Sequence, residues 1–227
     1  MEAAAATGPR RGIAHWAPLG GALYVVLFVI GVIVLFSGAA GGDDSPAKVI
    51  RWYADSGHRD RVNVGWLIAA LGVFFLLWFI AALRRAVSAV DGDGLLTTVV
   101  TLGGGIYVAL AWASLGLNDA IRTMSDDTYR HQVFPELIHA ADDAGWVINA
   151  TGAAGMGAMI IAASLAFMSR AVWPRWAGWV GVIVGILSLA SIAFFPQFLF
   201  LLWVLVVSVL MFLRPARYGA PVAVRGV

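Results

Sequence analysis

The side chains best equipped for chemistry fall in two clusters. One is His131, Glu136, His139 and Asp143, around Pro135. The other surrounds His58 in Asp55-Ser56-Gly57-His58-Arg59-Asp60-Arg61. If a helix runs over 135–142, Glu136 and His139 are three apart and His139 and Asp143 four apart, so all three share one face. Imidazole with carboxylates is a donor set for zinc, which His139, Glu136 and Asp143 would hold with His131 or His58 as a further ligand. Glu-x-x-His is also the spacing of di-iron carboxylate bundles, but these need a second such motif and two more glutamates. The chain's other glutamate is Glu2, in the N-terminal tail. The plainer reading, a solvated amphipathic helix with surface charges, is preferred, and no cofactor is expected.

A second constellation depends wholly on how the chain folds. Asp119 and Arg122 stand three apart after a long apolar stretch; Asn149 opens another, and Gln197 stands near the start of a third. At similar depth they would floor a pocket between helices, open to one face. Taken singly they would cap and bridge helix ends, which is the preferred reading. No phosphate loop, nucleophile elbow or serine–histidine arrangement stands out. Asn149-Ala150-Thr151 matches a glycosylation pattern but lies inside an apolar stretch, as a chance match would.

What must position these residues is a set of five stretches without a charged side chain: 12–42, 62–83, 94–118, 144–169 and 176–213. A helix needs about 20 mainly apolar residues to cross ~30 Å of hydrocarbon. The first four stretches hold one crossing each, and the fifth is nearly double length with Pro196 at its middle. The reading is an all-α, polytopic transmembrane helical bundle of six spans, at about 17–39, 63–85, 95–117, 145–169, 176–194 and 196–213. Tails at 1–16 and 214–227 flank it, and short interfacial helices occupy its two outer loops. The first of these, 46–56, has Ser45 as N-cap, Gly57 as its stop, and Ala47, Ile50, Tyr53 and Ala54 on its apolar face. The second is 135–142. Phe195-Pro196-Gln197 is expected to turn span 5 into span 6.

Glycines gather in three spans: Gly103-Gly104-Gly105 in span 3, Gly152, Gly155 and Gly157 in span 4, and Gly178, Gly181 and Gly185 in span 5. Small faces let backbones approach in lipid, where no hydrophobic force drives helices together. Packing within the chain is preferred over a homo-oligomer or a partner membrane protein. The triple glycine marks either close packing or a bend.

Composition agrees with a membrane setting. Of 227 residues 61% are hydrophobic and 12% charged, half the ~25% charged residues of a soluble domain; mean hydropathy is +0.86. The absence of cysteine excludes disulfides and thiolate sites. A net charge of only +2, with basic residues in every loop, argues against a nucleic-acid partner. The apolar run 13–40 exceeds the ~7–15 residues of a signal-peptide core, so an uncleaved first span is expected. No span carries an ionisable group in its interior, and the single lysine, Lys48, lies outside the spans. That disfavours a proton-coupled pump and a retinal protein.

Alternate sides of six spans sort the charges. One side has Arg10, Arg11, Arg84, Arg85, Arg170, Arg175, Arg214, Arg217 and Arg225, nine basic residues. The other has six: Lys48, Arg51, Arg59, Arg61, Arg122 and Arg130. The richer side is expected to be cytoplasmic, with both termini inside the cell (plasma) membrane. Trp16, Trp173 and Trp176 would anchor the inner boundary, and Trp52, Trp66 and Trp146 the outer one.

Two segments carry a resemblance. They are Ala54-Asp55-Ser56-Gly57-His58-Arg59-Asp60-Arg61-Val62, running into span 2 and ending Ala82-Leu83-Arg84-Arg85, and Trp173-Pro174-Arg175-Trp176-Ala177-Gly178-Trp179. Both are similar to uncharacterised actinobacterial six-span membrane proteins, close in style to the domain-of-unknown-function 4386 family. An arginine-dominated basic set fits such a GC-rich origin. The resemblance implies no reaction. The sequence therefore points to a non-enzymatic bundle that binds a lipid, a small apolar ligand or a partner membrane protein. A small transporter or channel, and a metal-dependent enzyme at the outer face, are the alternatives.

Overall fold

The computed structural model describes residues 13–40, 44–127, 133–215 and 218, and these form helices and turns with no strand. In chain order the helices are α1 (Ile13–Trp16), α2 (Leu19–Phe36), α3 (Pro46–Ala54), α4 (Ser56–Asp91), α5 (Leu95–Asp127), α6 (Pro135–Ser169), α7 (Arg175–Ser188) and α8 (Phe195–Leu213), with a 3₁₀ turn at Ser191–Ala193. Five of them, α2, α4, α5, α6 and α8, are long and apolar enough to cross a membrane. α7 has 14 residues, which at ~1.5 Å per residue is about 21 Å, short of a crossing on its own.

The long helices form a closed ring in chain order. α2 packs on α4, α4 on α5, α5 on α6, α6 on α7, α7 on α8, and α8 returns to α2. The seams run antiparallel and are set by glycine. A Cβ on Gly103 would lie 2.5 Å from the Gly155 carbonyl oxygen, and one on Gly155 would lie 2.6 Å from that of Gly103. Gly157 and Gly185 meet in the same way between α6 and α7, and Gly31 meets Gly65 between α2 and α4. The glycine faces of α5, α6 and α7 are thus occupied within the chain. The triple glycine does not interrupt α5: Gly103 takes α6, Gly104 takes Ile80 of α4, and Gly105 has nothing within 4 Å.

The ring closes between α8 and the α1–α2 junction through one hydroxyl. Ser208 Oγ donates to the Pro18 carbonyl at 2.6 Å and accepts the Ala22 N–H at 3.0 Å. It is inserted where the i→i−4 bond from Ala22 to Pro18 would run, a known way for a helix to bend. His15 and Trp16 add ring contacts to Phe212 at 5.1 and 5.5 Å.

Several local expectations need correction. α3 ends at Ala54, and Gly57 does not stop it. Asp55 instead caps α4, its carboxylate accepting the Gly57 N–H at 2.7 Å. Nor is Ile50 on the buried face: Val49 and Tyr53, four apart, are fully buried, and Ala47, Ile50 and Ala54 are exposed. α3 docks on Leu35, Ala40, Val62 and Ile138, so it caps one end of the bundle. Arg59 fixes it there, donating to the Tyr53 and Ala54 carbonyls at 2.7 and 3.1 Å, while Arg61 does the same for Ser37 at the end of α2.

The expected helix at 135–142 is the opening of α6. Ile138, Ala141, Gly145 and Gly152 form one continuous buried stripe, so nothing in the pattern interrupts it. Phe195-Pro196-Gln197 is the first turn of α8, where proline is tolerated. The reversal lies before it, at 189–194. Trp173 is not a boundary anchor: it is 8% exposed and its indole N–H donates to the Tyr218 hydroxyl at 2.7 Å. Tyr218 is therefore tied to the bundle, while most of the expected C-terminal tail lies outside the described residues.

The glycine seams give a paired test. Gly103→Ala overpacks a backbone contact and is expected to cost about 1–3 kcal/mol. Gly105→Ala meets open space and should be neutral or stabilising by up to about 1 kcal/mol. Thermal unfolding in detergent, followed by tryptophan fluorescence, reads both. Equal melting temperatures for the two variants would contradict the seam.

Candidate functional site: a cavity at the α3 end of the bundle

Inside the ring, α2, α5, α6 and the start of α8 leave a cavity of about 590 Å³, within the ~300–1,000 Å³ typical of small-molecule sites. Phe28, Val32 and Leu35 of α2, Leu115 of α5 and Phe194 make apolar walls. Ser114 and Asn118 of α5, Asp142, Asp143 and Asn149 of α6, and Gln197 of α8 supply the polar lining.

The α5–α6 seam orients Asn118. Ser114 Oγ donates to the Gly145 carbonyl at 2.7 Å, and Asn118 Nδ2 donates back to the Ser114 carbonyl at 3.1 Å. Gly145 leaves the room for that amide, since a Cβ there would fall on Asn118 Nδ2. Asn118 is 6% exposed, and its Oδ1 is buried without a hydrogen-bond partner.

Gln197 is placed by a strained turn. Phe194 holds φ 67° and ψ −54°, a conformation that costs a non-glycine residue about 1–3 kcal/mol. Its surroundings keep it there. Its ring packs on Trp146 at 5.6 Å and on Phe198 at 5.1 Å, and the Trp146 indole N–H donates to the Ile192 carbonyl at 3.2 Å. Gln197 is 8% exposed, and its Nε2 is likewise buried without a partner. A buried polar atom left unpaired costs about 1–3 kcal/mol, so two such atoms beside one cavity mark a place that a ligand would stabilise.

The expected residues divide. Asn149 and Gln197 line the cavity. Asp119 does not; Asn118, one residue earlier and a different helix face, takes its place. The side chain of Arg122 lies outside the described residues, as does His131. Of the residues expected around zinc, Asp143 lines the cavity and Glu136 is exposed. His139 is half-buried on α6. His58 stacks on Trp52 at 4.4 Å, with Nδ1 2.9 Å from the Trp52 carbonyl. Among the described residues no three His, Cys, Asp or Glu side chains come together as a metal site.

Sequence reasoning did not assign Ser114, Asn118 or Asp142 to the pocket, and it passed over a tyrosine pair. Tyr24 and Tyr107 are fully buried with their hydroxyls 2.6 Å apart, joining α2 to α5 across the ring. Phe28, in the cavity wall, packs on Tyr24 at 5.4 Å, and Phe200 packs on Tyr107 at 5.5 Å. This aromatic layer fills the bundle beneath the cavity. A signal was available: tyrosine favours membrane interfaces, so two mid-span tyrosines need partners inside.

Either single change, Tyr24→Phe or Tyr107→Phe, leaves the other hydroxyl buried and unpaired, and is expected to cost about 1–3 kcal/mol. The double variant should cost clearly less than the sum of the singles. Unfolding free energies in mixed detergent would read this cycle, and strictly additive values would rule out the pair.

No family model matches this chain, and no curated protein or solved structure matches it.

Proposed function

We propose that the chain is a plasma-membrane protein of six crossings, with both termini in the cytoplasm. It binds a small amphipathic molecule in the cavity, at its outer face, and performs no chemistry on it. The observation that carries this reading is the pair of buried, unpartnered amide atoms of Asn118 and Gln197 beside an apolar-walled cavity.

The sixth crossing has support in how α7 tracks α6. Trp173 packs on Phe167, Gly181 on Ser164 and Gly185 on Gly157, and Ile192 is bonded by Trp146. The segment from Trp173 to Ile192 therefore runs the length of α6 between Phe167 and Trp146, about 31 Å at ~1.5 Å per residue, equal to a hydrocarbon core. The orientation has support in the basic residues of the poorer side. Arg59 and Arg61 cap helix ends, and Lys48 pairs with Asp44 at 2.6 Å, so their presence there has structural causes. The aromatic layer under the cavity weighs against a channel, and the dispersed histidines weigh against an outer metal enzyme. Membrane lipid remains one source of the bound molecule.

The chain has no cysteine, which makes single-cysteine labelling clean. A membrane-impermeant maleimide should modify Ser45→Cys in intact cells, and Asp93→Cys only after lysis. The reverse pattern would overturn the orientation. For the ligand, native mass spectrometry of protein taken from membranes should show a bound small molecule on the wild type. That mass should be absent from Val32→Trp, and from Leu115→Trp as a second filling variant. Identical adducts on all three would remove the cavity as the site.

A further inference from the structure

We infer that the cavity selects a cationic head: its ligand is a protonated amine on an apolar body. This deepens the ligand-binding reading above and rests on it. Asp143 of α6 puts a carboxylate in the lining, and among the described residues no Lys, Arg or His side chain lines it.

The second observation is the Asn118 amide. Its Oδ1 is buried beside the cavity without a partner, and it cannot exchange places with Nδ2. Nδ2 is held by the Ser114 carbonyl at 3.1 Å, and the exchange would set oxygen against oxygen. A fixed buried acceptor in one lining with the Asp143 carboxylate demands a donor. An ammonium offers three donors and no acceptor, and its bonds to these oxygens are charge-assisted. A carboxylate or phosphate head would face acceptors and like charge instead. The Gln197 Nε2 donor in the same lining asks for one acceptor, such as a hydroxyl or carbonyl oxygen on the same molecule. Phe28, Val32 and Leu115 receive the apolar body. Phe194 and Trp146, in the same lining, add ring faces that attract a cation.

The test uses the full chain in phosphatidylcholine nanodiscs, titrated at neutral pH with phenylbutylamine, phenylbutanol and phenylbutyrate. Binding is read by calorimetry and by the fluorescence of Trp146 against a Trp146→Phe background. The amine should bind about tenfold or more tighter than the alcohol, and the carboxylate weakest, as expected for a hydrogen bond to a charged group. Asn118→Leu and Asp143→Asn should each weaken the amine about tenfold and the alcohol, whose bonds are not charge-assisted, clearly less. Unliganded melting temperatures check that both variants fold. Competition by added phosphatidylethanolamine would assign the ammonium to a lipid headgroup; its absence would assign it to a soluble amine. Equal binding of amine and alcohol, insensitive to Asn118→Leu, overturns the charge preference and leaves the amphiphile reading standing. No binding by any of the three probes overturns both.

Discussion

Hydrocarbon gives one helix no hydrophobic reason to seek another, so everything in this bundle depends on how closely its backbones can approach. Gly103 against Gly155, Gly157 against Gly185 and Gly31 against Gly65 bring main chains to contact along three seams. At that distance dispersion contacts are dense enough to hold helices whose outer faces are solvated by lipid. The ring order follows from these seams, because each helix spends its small-residue stripe on a neighbour in sequence.

The cavity follows from where such contacts stop. α8 is fastened to α1 and α2 through Ser208 and Phe212, and beyond Tyr24 the space between α2 and α8 is filled only as far as the Phe28, Tyr107 and Phe200 layer. Past it the helices leave room, and the chain sets amides and carboxylates among the apolar walls of that room. The reversal at 189–194 makes this worse for stability, since Phe194 holds an unfavourable backbone to bring Gln197 inward. Strain and unpaired polar atoms in one place are the usual sign that local stability has been yielded to binding.

Much of this was legible in the sequence. Charge-free stretches mark every long helix, and glycine spacing marks the seams, because both follow from the solvent. The turn between α4 and α5 falls on Gly92, whose φ of 67° is open to glycine because it has no Cβ. What was not legible depends on register. Asn118 and Asp119 are neighbours in sequence, and only the packing of α5 on Gly145 decides which faces inward. Val49 rather than Ile50 is buried in α3 because Ile138, 89 positions away by residue number, is what it meets. Gly57 resembled a helix stop, yet the Asp55 carboxylate turns it into a helix start. Trp173 resembled an interface anchor because its partner, Tyr218, lies in a stretch with no periodicity.

Ser208 has a consequence for biogenesis. The hydroxyl that completes the broken ladder between Pro18 and Ala22 is separated from Pro18 by 190 positions, so it leaves the ribosome long after α2. Until α8 inserts, the Ala22 N–H lacks its Ser208 acceptor at the edge of the hydrocarbon, where unpaired backbone groups are poorly tolerated. α2 is thus completed only once α8 has been made. A chain that stops before Ser208 leaves the Ala22 amide without that acceptor, so closure of the ring reports that α8 is in place.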